Sequence, residues 1–209
     1  MISSTSIMRT RTLTGACFVG LLGTVYFCMA PFYFSLLLGL MLAYILVFEW
    51  AGLHAWFLTP VYPVLPFLIV IMLNQGSQRW WVLVIFVLSM SCDTGAYLVG
   101  SWWGRRPLAP RISPKKTWEG FWGGLLTAEL VLGGVWYFGG FPVPGLFFFG
   151  YVFLGSWVAL FGDLLISLLK RRSHLKDTGV LLPGHGGLLD RVDSILAVAL
   201  YTLPFTWFW

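Results

Sequence analysis

The chain has 209 residues, of which 58% are hydrophobic and only 10% are charged, and its mean hydropathy is +0.83. A soluble domain is typically about 45–50% apolar and about 25% charged. This composition therefore excludes a soluble globular domain, a disordered chain and a collagen-like chain. We expect an all-α, polytopic integral membrane protein.

The basic residues give the chain a net charge of +5 and are concentrated in three places. They lie at Arg9 and Arg11, between residues 105 and 116, and between residues 170 and 191, with Arg79 outside these clusters. Such clusters could contact nucleic acid, contact anionic lipid, or mark the cytoplasmic loops of a membrane protein. In so apolar a chain we interpret them as cytoplasmic loops, and we expect no nucleic-acid partner.

A helix needs roughly 20 apolar residues to cross a bilayer, and the sequence predicts about seven such spans. Since Lys and Arg favour the cytoplasmic side, an N-terminus inside and a C-terminus outside place both large basic loops in the cytoplasm. The basic, apolar N-terminus is interpreted as a retained first helix. The third span is short and proline-rich, so a re-entrant segment is its alternative. The predicted spans cover residues 12–30, 32–53, 61–73, 80–103, 119–140, 145–169 and 188–208.

Two acidic residues lie late in apolar runs, Asp93 and Asp163. A charge near the middle of the membrane costs about 2.5–3.5 kcal/mol and usually marks a functional site. The alternative is a carboxylate that is satisfied by a hydrogen bond or sits shallow enough to be hydrated. On a helix, Asp163, Ser167 and Lys170 share one face, because they are separated by four and three residues.

Asp190 and Asp193, with Arg191 between them, begin the last predicted helix after a basic, glycine-rich loop at residues 170–187. Carboxylates beside Lys and Arg favour a divalent cation that bridges protein and phosphate, because Mg²⁺ is typically held by one or two carboxylates plus phosphate oxygens. Alternatively, the two aspartates only offset the helix dipole, by about 0.3–1 kcal/mol each. The basic residues could likewise only orient the loop or contact anionic lipid.

The second basic loop, residues 105–117, leads into another predicted helix. Ser113 or Thr117 could cap that helix. Lys115 and Lys116 would then be cytoplasmic anchors. The functional alternative is a second phosphate clamp formed by this loop.

The run from Ser167 to Asp193, SLLKRRSHLKDTGVLLPGHGGLLDRVD, resembles the signature of phosphatidate cytidylyltransferases, also called CDP-diacylglycerol synthases. The stretches DTGAY at 93–97, SPKKTWEG at 113–120 and GDL at 162–164 resemble the same family. The resemblance implies an enzyme of phospholipid biosynthesis that transfers the cytidylyl group of CTP to phosphatidic acid and releases pyrophosphate. It also implies N-terminal membrane helices at 1–79, shorter than is usual for the family, and a catalytic membrane domain at 80–209.

The resemblance further implies roles for individual residues. Asp163 and Asp190 would be metal ligands, and together with Lys170 and Asp193 they would be the catalytic residues. Mg²⁺ is the implied ion, with Mn²⁺ as its alternative and a monovalent cation as a further candidate. The implied partners are CTP, phosphatidic acid, the lipid bilayer and a second copy of the chain in a homodimer. The implied location is a bacterial inner membrane, with the active site on its cytoplasmic side. The implied substrate-binding residues are Ser113, Lys115, Lys116, Ser167, Arg171, Lys176, His185 and Arg191.

Other functions remain open from the residues alone, and they include a CDP-archaeol-type synthase, which differs only in its lipid, and a purely structural membrane subunit. A CTP-dependent lipid kinase for polyprenol or phytol would transfer the γ-phosphoryl group and release CDP in place of pyrophosphate. A cation transporter could use Asp93 and Asp163 as intramembrane charges. Transport needs no CTP, so consumption of CTP separates the transporter from the enzymes. The products, pyrophosphate or CDP, separate the cytidylyltransferase from the kinase.

Overall fold

The computed structural model describes residues 4–181 and 186–208, and this part of the chain is mainly helical. Short π- and 3₁₀-helical turns continue α2 through Leu53, precede α3 from Pro60 and follow α7 as far as Trp207. The helices and strands are α1 (Ser4–Cys28), α2 (Pro31–Tyr44), α3 (Leu65–Gln75), α4 (Trp80–Trp103), β1 (Pro107–Ala109), β2 (Ser113–Thr117), α5 (Trp118–Gly139), α6 (Gly145–Arg172) and α7 (Leu189–Thr202).

Four helices in the described ranges are long and apolar enough to cross a membrane: Pro31–Leu53, α4, α5 and α6. This finding agrees with the predicted helical membrane protein. The remaining predicted spans are also helical, but their apolar helices are shorter. For example, the 14 residues of α7 rise about 21 Å, against a hydrocarbon core of about 30 Å. The count of seven spans and their orientation therefore stay predictions.

The chain divides into two compact units. The first unit contains Met1–Ser77 and Leu169–Val192, and the second contains Gln78–Leu168 and Asp193–Trp209. The predicted loop at 170–187 thus groups with the N-terminal residues, although the sequence places it in the domain at 80–209. Whether residues 80–209 form the catalytic domain stays a prediction, because a compact unit is not a functional assignment.

In the first unit, α2 packs against α3 through a stripe of buried side chains. Phe34, Leu38 and Met41 are spaced by four and three residues, so they lie on one face of α2. Fully buried Asn74 of α3 donates hydrogen bonds to Pro31 O at 2.7 Å and to Ser35 Oγ at 3.0 Å. These bonds join the end of α3 to the start of α2.

In the second unit, α4 and α5 approach each other closely through glycines. A Cβ on Gly95 would collide with Thr127, and a Cβ on Gly124 would lie 2.5 Å from Cys92 O. Small residues at such contacts let membrane helices pack through their backbones. The glycines of these two helices thus hold the segments on either side of the 105–117 loop together.

Gly124→Ala is expected to lower the free energy of unfolding by about 1–3 kcal/mol, because the added methyl group overpacks the α4–α5 contact. Gly134→Ala in the same helix is the matched control, since a Cβ at Gly134 meets nothing within 4 Å. Thermal unfolding in detergent measures both variants. Equal midpoints for the two variants would show that the contact does not limit stability.

Candidate active site

Helix α6 carries three of the predicted site residues at the predicted spacing. Asp163, Ser167 and Lys170 all lie in α6, and Ser167 Oγ donates a hydrogen bond to Asp163 Oδ1 at 3.2 Å. Gly162 allows this part of α6 to pack tightly, because a Cβ there would collide with Ala197 and lie 3.0 Å from Asp193 O. The helix ends with three basic residues in its last turn, where the helix dipole favours cations.

The second unit contains a cluster of charges that we call the Asp163 cluster: Asp93, Lys116, Asp163, Asp193 and Ser194. Asp163 forms an ion pair with Lys116, and the two side chains are 25% and 27% exposed. Asp193 lies within electrostatic range of Asp163, Asp93 and Lys116. Ser194 connects the aspartates, because its backbone N–H bonds to Asp193 at 2.8 Å and its hydroxyl to Asp93 at 3.3 Å.

Lys116 reaches this cluster from a short antiparallel hairpin, β1–β2, within the predicted loop 105–117. Successive side chains of a strand point to opposite faces. Accordingly Lys116 is partly buried against Asp163, whereas Lys115 is exposed. The structure thereby separates two lysines that the sequence treats alike.

Two hydrogen-bonding groups join the hairpin to α5. Thr117 Oγ1 accepts a hydrogen bond from Gly120 N at 3.1 Å, which confirms the predicted cap at Thr117. Ser113 lies inside β2, opposite Ala109, and so does not cap the helix. Glu119 accepts from the backbone N–H groups of Arg105 and Arg106, both at 3.1 Å. These bonds fix both ends of the hairpin relative to the helix.

The first unit contains a second charged group, which we call the Asp190 cluster: Glu49, Lys170, Thr178, Gly187 and Asp190. Lys170 Nζ lies 2.7 Å from Asp190 Oδ1, and the side chains are only 12% and 5% exposed. Asp190 Oδ2 accepts hydrogen bonds from Thr178 N at 2.9 Å and Gly187 N at 3.1 Å. Removing one partner of a buried ion pair typically costs about 3–5 kcal/mol, so this pair is also important for folding.

Glu49, like Thr178, is a member of the Asp190 cluster that sequence reasoning missed. Its side chain is fully buried and accepts hydrogen bonds from Leu188 N and Leu189 N, both at 2.7 Å. Thr178 Oγ1 also donates to Glu49, at 3.1 Å. The available signal was an acidic residue within the apolar segment 32–53, since an ionisable residue in such a segment usually has a specific partner.

The other predicted binding residues have different positions. Ser113 is partly exposed, whereas Arg171, Lys176 and Arg191 are exposed, and Arg171 donates a 3.4 Å hydrogen bond to Leu175 O. These exposed cations, in the last turn of α6, in the segment that follows it and in the first turn of α7, are accessible to an anionic ligand. His185 lies outside the described residues.

The aspartates of the two clusters have the oxygen ligands that a divalent cation such as Mg²⁺ prefers. Within residues 4–181 and 186–208, no three Asp, Glu, His or Cys side chains form a group that could hold a metal by themselves. Magnesium sites in proteins commonly use one or two carboxylates, with substrate phosphates and water completing the shell. An ionised carboxylate has about four acceptor positions, more than the described contacts of Asp163 or Asp190 occupy. Each carboxylate, taken within its own unit, therefore fits an ion that is held jointly with phosphate.

Comparison with known proteins identifies one family. The model of the cytidylyltransferase family matches residues 1–209. Phosphatidate cytidylyltransferase of Rickettsia conorii is 36% identical over 139 residues, which cover 64% of this chain and 60% of the relative. The Haemophilus influenzae protein of that name is 41% identical over 132 residues, covering 61% and 46%, and the Bacillus subtilis protein is 44% identical over 123 residues, covering 58% and 44%. The chain thus spans about half the length of the curated relatives it matches.

Proposed function

The chain belongs to the cytidylyltransferase family, and we propose on this basis that it transfers the cytidylyl group of CTP to phosphatidic acid. The products are CDP-diacylglycerol and pyrophosphate. The observation that carries the proposal is the family match over residues 1–209, together with relatives named phosphatidate cytidylyltransferase. Two Lys–Asp pairs, one in each unit, support it because phosphate chemistry needs positioned cations.

The proposed reaction joins two anions. A phosphate oxygen of phosphatidic acid attacks the α-phosphorus of CTP, and the bond from that phosphorus to the oxygen bridging to the β-phosphate breaks. The electron pair leaves with pyrophosphate. Because the attacking oxygen is already anionic, no strong general base is required. The protein must instead position the reactants and neutralise charge.

Lys116 and Lys170 are suited to this task. An ammonium group has three donors, so a lysine bound to one carboxylate keeps donors for a phosphate oxygen. We assign Asp163 and Asp190 as metal ligands, and Asp193 as a further acidic residue beside Asp163. A divalent cation, which we propose is Mg²⁺, would supply positive charge to the phosphates when bound. The proposed substrate contacts are Ser113, Lys115, Ser167, Arg171, Lys176, His185 and Arg191.

The proposed location is a bacterial inner membrane, with the basic segments on the cytoplasmic side, where CTP is available. Seven spans with the N-terminus inside and the C-terminus outside give this arrangement, since the hairpin turn at Arg111 is then cytoplasmic and the α5–α6 turn at Pro142 is external. The acyl chains of phosphatidic acid would remain in the bilayer. Association as a homodimer stays a prediction from the family.

Cysteine labelling is expected to report this orientation, because Arg111 and Pro142 are both exposed and flank the two ends of α5 in the chain. In a background without the native cysteines, Arg111→Cys should react with an impermeant maleimide only after the membrane is permeabilised. Pro142→Cys should react in intact cells. Labelling of Arg111→Cys in intact cells, with Pro142→Cys protected, would contradict the orientation.

The reaction class can be tested by nucleotide products. Purified protein in detergent is incubated with CTP, Mg²⁺ and phosphatidic acid, and released pyrophosphate and CDP are quantified. We expect pyrophosphate that depends on phosphatidic acid. A parallel reaction contains polyprenol or phytol in place of phosphatidic acid, and CDP formation there would indicate the kinase. A folded protein that consumes no CTP in either reaction would contradict both enzymatic functions.

A further inference from the structure

We infer that Glu49 is a positioning residue that holds the first turn of α7, and with it Asp190, in place. The inference rests on the proposed function for its catalytic meaning, but its structural basis is independent. Glu49 belongs to a π-helical turn that follows α2 and is distant in sequence from α7. Its carboxylate is nevertheless fully buried against the segment that precedes Asp190.

The donors at the start of α7 are divided between two carboxylates. Gly187 N donates to Asp190, whereas the next two backbone N–H groups, at Leu188 and Leu189, donate to Glu49. The first N–H groups of a helix have no partner inside the helix, so an external acceptor must satisfy them when they are buried. Glu49 performs this function, and its negative charge also matches the positive end of the helix dipole.

Thr178 links the same two carboxylates from the other end of the loop. Its backbone N–H donates to Asp190 at 2.9 Å and its hydroxyl donates to Glu49 at 3.1 Å. A displacement of Glu49 would therefore move Thr178 and the 187–189 segment. Thr178 N and Gly187 N are the two backbone donors that orient Asp190. Since Lys170 is paired with Asp190, the effect extends to the proposed phosphate-binding lysine.

The tight packing around Glu49 also accounts for two glycines of the signature run. A Cβ at Gly179 would lie 2.7 Å from Glu49 Oε1, which is shorter than an ordinary carbon–oxygen contact, so a side chain there would displace the carboxylate. A Cβ at Gly187 would collide first with Thr178 Oγ1 and with Gly179 N, and would also lie 2.8 Å from Glu49 Oε2. The residue types of the loop and the position of Glu49 are thus mutually dependent.

Glu49→Gln tests the inference, because glutamine keeps the volume but replaces one acceptor oxygen by a donor. Hydrogen exchange followed by mass spectrometry measures the amides of 187–189 in the full-length protein in detergent, without reference to activity. We expect exchange there to accelerate by about tenfold or more as the local hydrogen bonds weaken. Cytidylyl transfer should fall by about 10–100-fold, mainly in kcat, as for other residues that orient a metal ligand.

Asn74→Leu is the matched control, since Asn74 is equally buried in the same unit but bonds to α2. It should leave exchange at 187–189 and turnover of the folded fraction unchanged. Wild-type exchange and full turnover in Glu49→Gln would overturn the inference. So would equal effects of the two variants on exchange at 187–189.

Thr178→Val tests whether Glu49 holds the first turn of α7 if the Glu49→Gln variant does not fold. It removes only the hydroxyl that donates to Glu49, and it should lower turnover and protection of 187–189, with Thr178→Ser restoring both. Wild-type behaviour of Thr178→Val would overturn the inference in that case. If the wild-type chain forms no CDP-lipid, the proposed function fails, but the exchange measurement still decides whether Glu49 holds α7.

Discussion

Asp190→Asn is expected to reduce cytidylyl transfer by about 100-fold or more, because it removes a proposed metal ligand and the counter-charge of Lys170 together. The amide keeps the shape of the side chain. Its nitrogen must, however, face either the Lys170 ammonium or the N–H groups of Thr178 and Gly187, all of which are donors. Initial rates with labelled CTP, normalised to the folded fraction, measure the loss.

A double variant separates the effect of the Lys170–Asp190 pair on catalysis from its effect on stability. Asp190→Asn alone leaves Lys170 buried without its partner, so it also lowers the thermal midpoint. Lys170→Met combined with Asp190→Asn removes both charges, and the amide oxygen can still accept hydrogen bonds from Thr178 N and Gly187 N. We expect the midpoint to recover and the activity to stay lost. Recovery of both would show that the pair is only structural.

Lys116→Ala is expected to reduce turnover by about 100-fold, since Lys116 is the cation paired with Asp163. Lys115→Ala should have a smaller effect, because that neighbouring side chain is exposed on the opposite face of β2. Steady-state kinetics with CTP and phosphatidic acid varied in turn compare the two.

Arg111→Ala provides the control for the hairpin, since Arg111 is exposed in the turn between β1 and β2. It removes a basic side chain without touching the Asp163 cluster, so kcat and KM should stay at wild-type values. Equal losses in the Lys115, Lys116 and Arg111 variants would mean that the hairpin contributes only net charge, and the specific role of Lys116 would be wrong.

The sequence predicts those parts of the site that depend on local geometry. The spacing of Asp163, Ser167 and Lys170 requires only that the segment is helical, and the structure places all three in α6. The cap at Thr117 depends on its own helix start and is confirmed. Helical period and capping chemistry act over a few residues, so a single sequence carries this information.

The features that the sequence does not predict depend on contacts between distant segments. Glu49 and Leu189 are far apart in the chain, and no periodicity connects them. Lys115 and Lys116 differ only because residues 113–117 form a strand, whereas the sequence indicated an irregular loop. The grouping of residues 169–192 with the N-terminal unit is also a tertiary property, determined by packing and by buried hydrogen bonds.

Transfer of label from CTP to lipid is the most direct test of the proposed reaction. The purified chain is incubated with phosphatidic acid and Mg²⁺, using CTP labelled either in the α-phosphate or in the γ-phosphate, and the lipid phase is extracted. Cytidylyl transfer predicts α-label in the lipid and γ-label in released pyrophosphate. With a folded protein, γ-label in the lipid, or no label there from either nucleotide, would contradict the proposed function.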